Sequence, residues 1–123
     1  MNVVDSSGWL AYFAGDTNAK QFAPVIQSTG TLIVPTICVY EVFRRILTQR
    51  GEDAALQAIG VMSLGTTIEL TQEIAINAAQ ISRVHKLAMA DSVILATARA
   101  NKATLWTQDA DFEGIAGVNY ISK

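Results

Sequence analysis

Short continuous apolar runs alternate with helical stripes along this chain, and that alternation restricts its fold more than any other feature. Asn2–Val4, Leu32–Val34 and Thr104–Thr107 are too short for buried helices and are apolar at consecutive positions, as strands covered on both faces are. Thr66–Leu70 alternates weakly and reads as a further strand, and Asn119–Ser122 as a last one. Between them lie segments with apolar residues three and four positions apart. Strands separated by helices predict an α/β fold with a largely parallel sheet. With 123 residues, half of them hydrophobic, the chain has enough material for one core, so residues 1–123 form a single expected domain.

The helices follow from caps and stripes. Asp5, Ser6 and Ser7 can each cap a helix over Gly8–Ala14. Ala19, Phe22, Ala23 and Ile26 mark a second helix, which Pro24 either joins in its first turn or kinks. Val39, Val42, Phe43, Ile46 and Leu47 form the stripe of a third. A fourth runs from Glu52 to about Met62, with acids in its first turn. Thr71 caps a fifth, with the stripe Ile74, Ala78, Ile81 and Val84 or His85. Asp91 is expected to cap a sixth, with Ile94, Ala98 and Asn101 on one face and Leu95 beside them.

The acids are the chemical feature of this pattern. Asp5 ends the first strand, Glu41 follows the second, Asp91 stands where an apolar helix begins, and Asp109 lies just past Thr104–Thr107. Strand ends and helix starts gather at one edge of a parallel sheet, so these four can share a cleft. Each has an ordinary explanation when taken alone. Asp5 and Asp91 suit N-caps, Glu41 can pair with Arg44 or Arg45 along a helix, and Asp109 and Asp111 suit turns. Together they point to a divalent cation, because clustered carboxylates repel unless a proton or a metal neutralises them. All-oxygen donors suit Mg²⁺, with Mn²⁺ the alternative, and the reaction implied is metal-assisted phosphodiester hydrolysis.

Other chemistries lack their parts. The single cysteine, Cys38, excludes an internal disulfide and a cysteine zinc site. The single histidine, His85, falls late in a helix, and neither a GxGxxG nor a Walker-type loop is present. A net charge of −2 argues against broad electrostatic binding of nucleic acid. Such a substrate has to be reached through metal and a few local cations, with Arg44 and Arg45 as candidate contacts to RNA or to an acidic protein segment. Trp9 and Trp106 flank the acidic edge in sequence and fit core packing better than base stacking. The first ten residues carry no basic leader, and no apolar run approaches the roughly 18 residues of a membrane span, so a cytoplasmic protein is expected.

Four segments, VVDSSGWL, YEVFRR, MADSVILATA and LWTQDADF, resemble in order the motifs of the PIN-domain ribonucleases, and more narrowly of the VapC-type toxins of bacterial toxin–antitoxin pairs. The resemblance spans Val3–Phe112 and implies a three-layer α/β/α sandwich around a central, mainly parallel sheet. It implies that Asp5, Glu41, Asp91 and Asp109 ligate Mg²⁺ or Mn²⁺, and that Ser7 and Thr107 orient those carboxylates. It also implies an RNA substrate, a homodimer and inhibition by a cognate antitoxin protein. Asp111 is a second acid beside the fourth ligand, and a turn over Ala110–Glu113 is expected to carry it away from the cleft while Phe112 enters the core. Two other functions fit an acid-bearing α/β domain. A PIN-like binding module without catalysis would be expected to have lost an acid. An aspartyl-phosphate phosphotransfer domain would need an acidic pair at the first strand and a lysine near the last, whereas serines follow Asp5 and Lys102 precedes its strand.

Overall fold

The structure is a computed structural model describing residues 1–123. Its five strands are β1 (Asn2–Val4), β2 (Leu32–Pro35), β3 (Thr66–Ile68), β4 (Thr104–Thr107) and β5 (Val118–Tyr120). They form one sheet in the order β3-β2-β1-β4-β5, with every pairing parallel. Six helices connect them: α1 (Ser6–Ala14), α2 (Ala19–Gln27), α3 (Thr36–Arg50), α4 (Glu52–Met62), α5 (Gln72–His85) and α6 (Met89–Ala100). Each of the first three crossovers uses a helix pair, as parallel neighbours require. The last, from β4 to β5, uses only residues 108–117 and a 3₁₀ turn at Ala110–Phe112.

All four residues of β2 are buried, as are Val3 and Val4 of β1. Successive strand side chains point to opposite faces, so helices must cover both. This is the expected three-layer arrangement. Among its helices α6 is the most deeply covered, buried continuously from Ser92 to Ala98. The approach of α1 to the sheet depends on Gly8, where a Cβ would meet Val4 Cγ1 at 2.6 Å and Phe22 Cε1 at 2.8 Å.

Several boundaries differ from expectation, each for a local reason. β3 stops at Ile68, with Glu69 and Leu70 exposed, and β5 begins and ends earlier than drawn. α1 starts at Ser6, because Asp5 itself is the cap and accepts from Gly8 N. Pro24 lies inside α2, which continues to Gln27. In α3 the fully buried stripe is Cys38, Val42 and Ile46; Val39 and Phe43 are half-buried and Leu47 is exposed. α5 has the expected Thr71 cap, but its stripe ends at Ile81, with Val84 and His85 both exposed. Asp91 does not cap α6. The cap position is Ala88, and Asp91 lies in the first turn, which frees its carboxylate from backbone duty.

Strand order places β1 beside β4 at the centre of the sheet, while the chain leaves β1 toward β2 on the other side. Such a reversal opens a crevice at the carboxyl ends of the two strands. Asp5 follows β1 directly, and Asp109 lies two residues past β4.

Candidate metal centre

Asp5 is built into this crevice. Its backbone N–H extends the β1–β4 ladder to Trp106 O (3.0 Å), and its side chain is 2 % exposed. Oδ1 accepts from Gly8 N (3.0 Å) and Ser7 Oγ (2.8 Å), and Oδ2 accepts from Thr107 Oγ1 (2.8 Å). Burial raises its pKa to about 6, against the lowering effect of these hydrogen bonds, and the nearby charge of Asp109 adds to the rise.

Thr107 ends β4, fully buried, and its hydroxyl joins the two strands' acids. While donating to Asp5, Oγ1 accepts from Asp109 N (2.9 Å). Asp109 Oδ1 in turn accepts from Asp111 N (2.9 Å), capping the 3₁₀ turn. Phe112 is fully buried and anchors this turn, as expected. The turn does not carry Asp111 away. One carboxylate oxygen each from Asp91, Asp109 and Asp111 lie within 4.8 Å of one another.

Glu41 comes from the middle of α3, and its Oε1 accepts from Ser6 Oγ at 2.6 Å. This bond crosses from α3 to the start of α1 and draws the carboxylate toward the crevice. Arg44 and Arg45 are exposed on the same helix. Asp91 gathers the electrostatics of the group. Its pKa rises to about 7, first through burial and then through the charges of Asp109, Asp5, Glu41 and Asp111, in that order. Asp5, Glu41 and Asp109, singled out in the sequence with Asp91, thus all act on it, and Asp111 is a fifth acid of the group. Cys38 lies beneath them, its Sγ 3.9 Å from Val4 O; burial pushes the thiol well up, with Ser6 opposing and the site's acids adding.

Trp9 is a core residue, stacked on Phe13 with centroids 5.7 Å apart, and Trp106 is tied within the sheet by Nε1 to Asn2 Oδ1 (2.8 Å). Two polar residues of this region make contacts that sequence spacing does not signal. Ser6 reads only as one of three cap candidates, yet its hydroxyl holds Glu41. Asn18, 5 % exposed, donates to Gln108 Oε1 and Ser122 O, both at 3.1 Å, tying the α1–α2 turn to the segment after β4. Nothing local in the sequence distinguishes it from a turn asparagine.

The donor set tests which ion this crevice fits. Every candidate ligand is a carboxylate oxygen, without a soft sulfur or imidazole, and burial together with the charges of the neighbouring acids raises Asp91 to about 7. A hard divalent cation such as Mg²⁺ or Mn²⁺ matches both facts. Asp91, Asp109 and Asp111 have the spacing of direct ligands, with Asp5 and Glu41 bordering them.

Comparison with known proteins establishes the family and the fold. The sequence profile of the PIN domain matches residues 3–118, and the chain belongs to that family. Comparison with curated proteins finds no match. Among solved structures, the chain is similar to one from a toxin–antitoxin complex of Klebsiella pneumoniae, with TM-score 0.80 and 25% identity over 98% of this chain and 100% of the other. It is also similar to Mycobacterium tuberculosis VapC20, a sarcin–ricin loop cleaving toxin, with TM-score 0.78 and 18% identity over 100% and 98% of the two chains. A third likeness is to VapBC2 of Rickettsia felis, solved on a promoter DNA fragment, with TM-score 0.75 and 12% identity over 98% and 97%.

Proposed function

We propose that this protein is a Mg²⁺-dependent endoribonuclease, with Mn²⁺ as an alternative ion, and the toxin of a toxin–antitoxin pair. The observation that carries the reading is the convergence of Asp5, Glu41, Asp91 and Asp109, with Asp111, on one crevice where Asp91 is raised to about 7. PIN-family membership supports nuclease chemistry. The VapC20 likeness supports RNA as substrate, and likeness to proteins solved as toxin–antitoxin complexes supports a cognate antitoxin. A homodimer and a cytoplasmic location complete the reading; no helix is long and apolar enough to cross a membrane.

In this reading Asp5, Glu41, Asp91 and Asp109 would hold the ion directly or through water, and Asp111, within ligand spacing of Asp91 and Asp109, would add a further carboxylate. When bound, the ion lowers the pKa of a water and neutralises charge on the phosphoryl oxygen. The chain's own contribution is positioning. Gly8 N, Ser7 and Thr107 fix both oxygens of Asp5, so its carboxylate cannot rotate to follow solvent. Ser6 fixes Glu41, and the Thr107 hydroxyl sets the backbone from which Asp109 projects. Burial of Asp5 and partial burial of Glu41, Asp91 and Asp109 reduce the screening of these charges by water, which strengthens their interaction with a cation.

The experiment is incubation of the purified protein with a mixed RNA pool, once with Mg²⁺ and once with EDTA. Cleavage confined to the Mg²⁺ arm is expected. RNA left intact in both arms would favour a binding role instead.

A further inference from the structure

We propose that a cleft opening off the carboxylate centre, between the C-terminal ends of α1 and α3, is a phosphate-binding subsite for the RNA strand on one side of the cut. The inference rests on the nuclease reading and adds to it where the strand runs. The cleft has a volume of about 410 Å³, within the range of about 300–1,000 Å³ of ligand sites. Ser7 and Gln108 form its inner wall. Ser7 donates to Asp5, and Gln108 precedes Asp109, so these two residues join the cleft to the metal centre, whose carboxylates lie outside the lining.

Its outer lining is cationic. Arg45, Arg50 and Lys123 border it, all exposed, against one acid, Asp16. In a chain of net charge −2, three cations around one cleft are a local concentration of positive charge. Gln49 adds an exposed amide. Gln108 is oriented from below, since its Oε1 accepts from buried Asn18, leaving its amide N–H groups as donors at the wall. The half-buried ring of Phe13 lies in the same cleft and offers an apolar surface to a base.

A nucleic-acid strand suits this combination better than an acidic peptide. Its anions repeat along a backbone, so one strand can place a phosphate at the metal centre and a neighbouring one against Arg45 and Arg50. It also carries flat bases that use Phe13. Arg45 also lines the adjoining cleft that contains Glu41 and Arg44, so the cationic surface continues past the acids along α3.

The test measures binding apart from cleavage. Fluorescence anisotropy follows a labelled 20-nucleotide oligouridine on the full chain in EDTA, across a salt series. An Arg45→Ala/Arg50→Ala variant is compared with Lys20→Ala/Lys102→Ala, which removes the same charge outside this cleft. Loss of two phosphate contacts should weaken binding at least about tenfold and reduce the salt slope by about 1.4, at roughly 0.7 per single-strand contact. The control should keep the wild-type slope. Equal affinity and slope in the two variants, or no RNA binding by the wild type even at low salt, overturns the proposal. A labelled oligoglutamate peptide is measured in parallel. If the arginine pair loses that peptide but not RNA, the cleft is a protein-docking site and the proposal fails. Cleavage of RNA by the wild type with Mg²⁺ is scored separately. Cleavage with unchanged RNA binding in the arginine variant overturns only the subsite. Selective loss of binding without wild-type cleavage overturns only the nuclease reading.

Discussion

The Thr107 hydroxyl donates to Asp5 Oδ2 at 2.8 Å and accepts from Asp109 N at 2.9 Å, so one buried oxygen sets the relation between the acid after β1 and the acid after β4. Thr107→Val keeps the shape of the side chain and removes both bonds. The expected result is a loss of about 10- to 100-fold in metal affinity or cleavage, the usual effect of removing a group that orients a ligand. A stability loss of about 1–3 kcal/mol should accompany it, from buried polar groups left unpartnered. Thr107→Ser keeps the hydroxyl and should restore metal affinity. Calorimetric titration with Mn²⁺ checks both; a valine variant with wild-type affinity would remove Thr107 from the site.

Asp5→Asn and Asp91→Asn should each abolish measurable RNA cleavage at limiting Mg²⁺. Their effects on the metal-free fold should differ. Asp91 accepts no capping bond and sits among like charges, so its neutralisation relieves repulsion and the metal-free melting temperature should hold or rise. Asp5 is held by three donors, and an amide there presents a donor to Thr107 or Ser7, so that variant should melt at the same temperature or lower. Thermal melts in EDTA separate the two. Full cleavage by either variant contradicts the site.

Asp109 and Asp111 should differ in degree. Asp109 is half-buried and is the largest charge acting on Asp91, whereas Asp111 is exposed and the smallest of the four. Asp109→Ala should lose about 10²-fold or more in single-turnover rate, the scale of losing a group that positions a metal or its water. Asp111→Ala should lose less than about tenfold, or roughly 1.4 kcal/mol of barrier, and recover with added Mg²⁺. The reverse order of damage would make Asp111 the principal ligand after β4.

The raised carboxylates give the metal-free protein an unusual pH dependence. Asp5 titrates near about 6 and Asp91 near about 7, both above the ordinary 3.8. Between about pH 4 and 7 the folded state therefore binds more protons than the unfolded chain, and these groups make stability fall as pH rises. Their contribution is complete below about pH 4 and lost above about 7. Saturating Mg²⁺ should displace the protons and flatten this slope, and Asp91→Asn should reduce it. Urea midpoints measured in EDTA across this window, for wild type and Asp91→Asn, provide the check. Identical slopes would contradict it.

Much of this architecture was legible because its signals are local. Val3–Val4 and Leu32–Val34 are apolar at consecutive positions in runs too short for a buried helix, as strands covered on both faces are. The acids after β1 and β4, with Glu41 and Asp91 from helices, then follow the sheet to one edge. What was not legible depends on tertiary contact. Asp91 reads as an N-cap, yet Ala88 takes that position, because the chain enters α6 through Leu87, which is buried. The α3 stripe was drawn one residue too far around the helix, since Cys38 is small enough to pass as neutral while Leu47 is large and exposed. Phe112 was rightly placed in the core, but a 3₁₀ turn capped by Asp109 is too tight to move Asp111 out of reach. The Ser6–Glu41 bond joins positions 35 residues apart, and sequence spacing carries no trace of it.

The central claim is that these carboxylates use metal-activated water to cut RNA, and the chemistry of the product ends tests it most directly. A labelled RNA is cleaved by the wild type with Mg²⁺, with EDTA and by Asp91→Asn, and the termini are mapped. The account predicts 5′-phosphate and 3′-hydroxyl ends, formed only by the wild type with metal and still formed when the scissile nucleotide lacks its 2′-hydroxyl. Ends carrying a 2′,3′-cyclic phosphate, or cleavage that persists in EDTA, would contradict it.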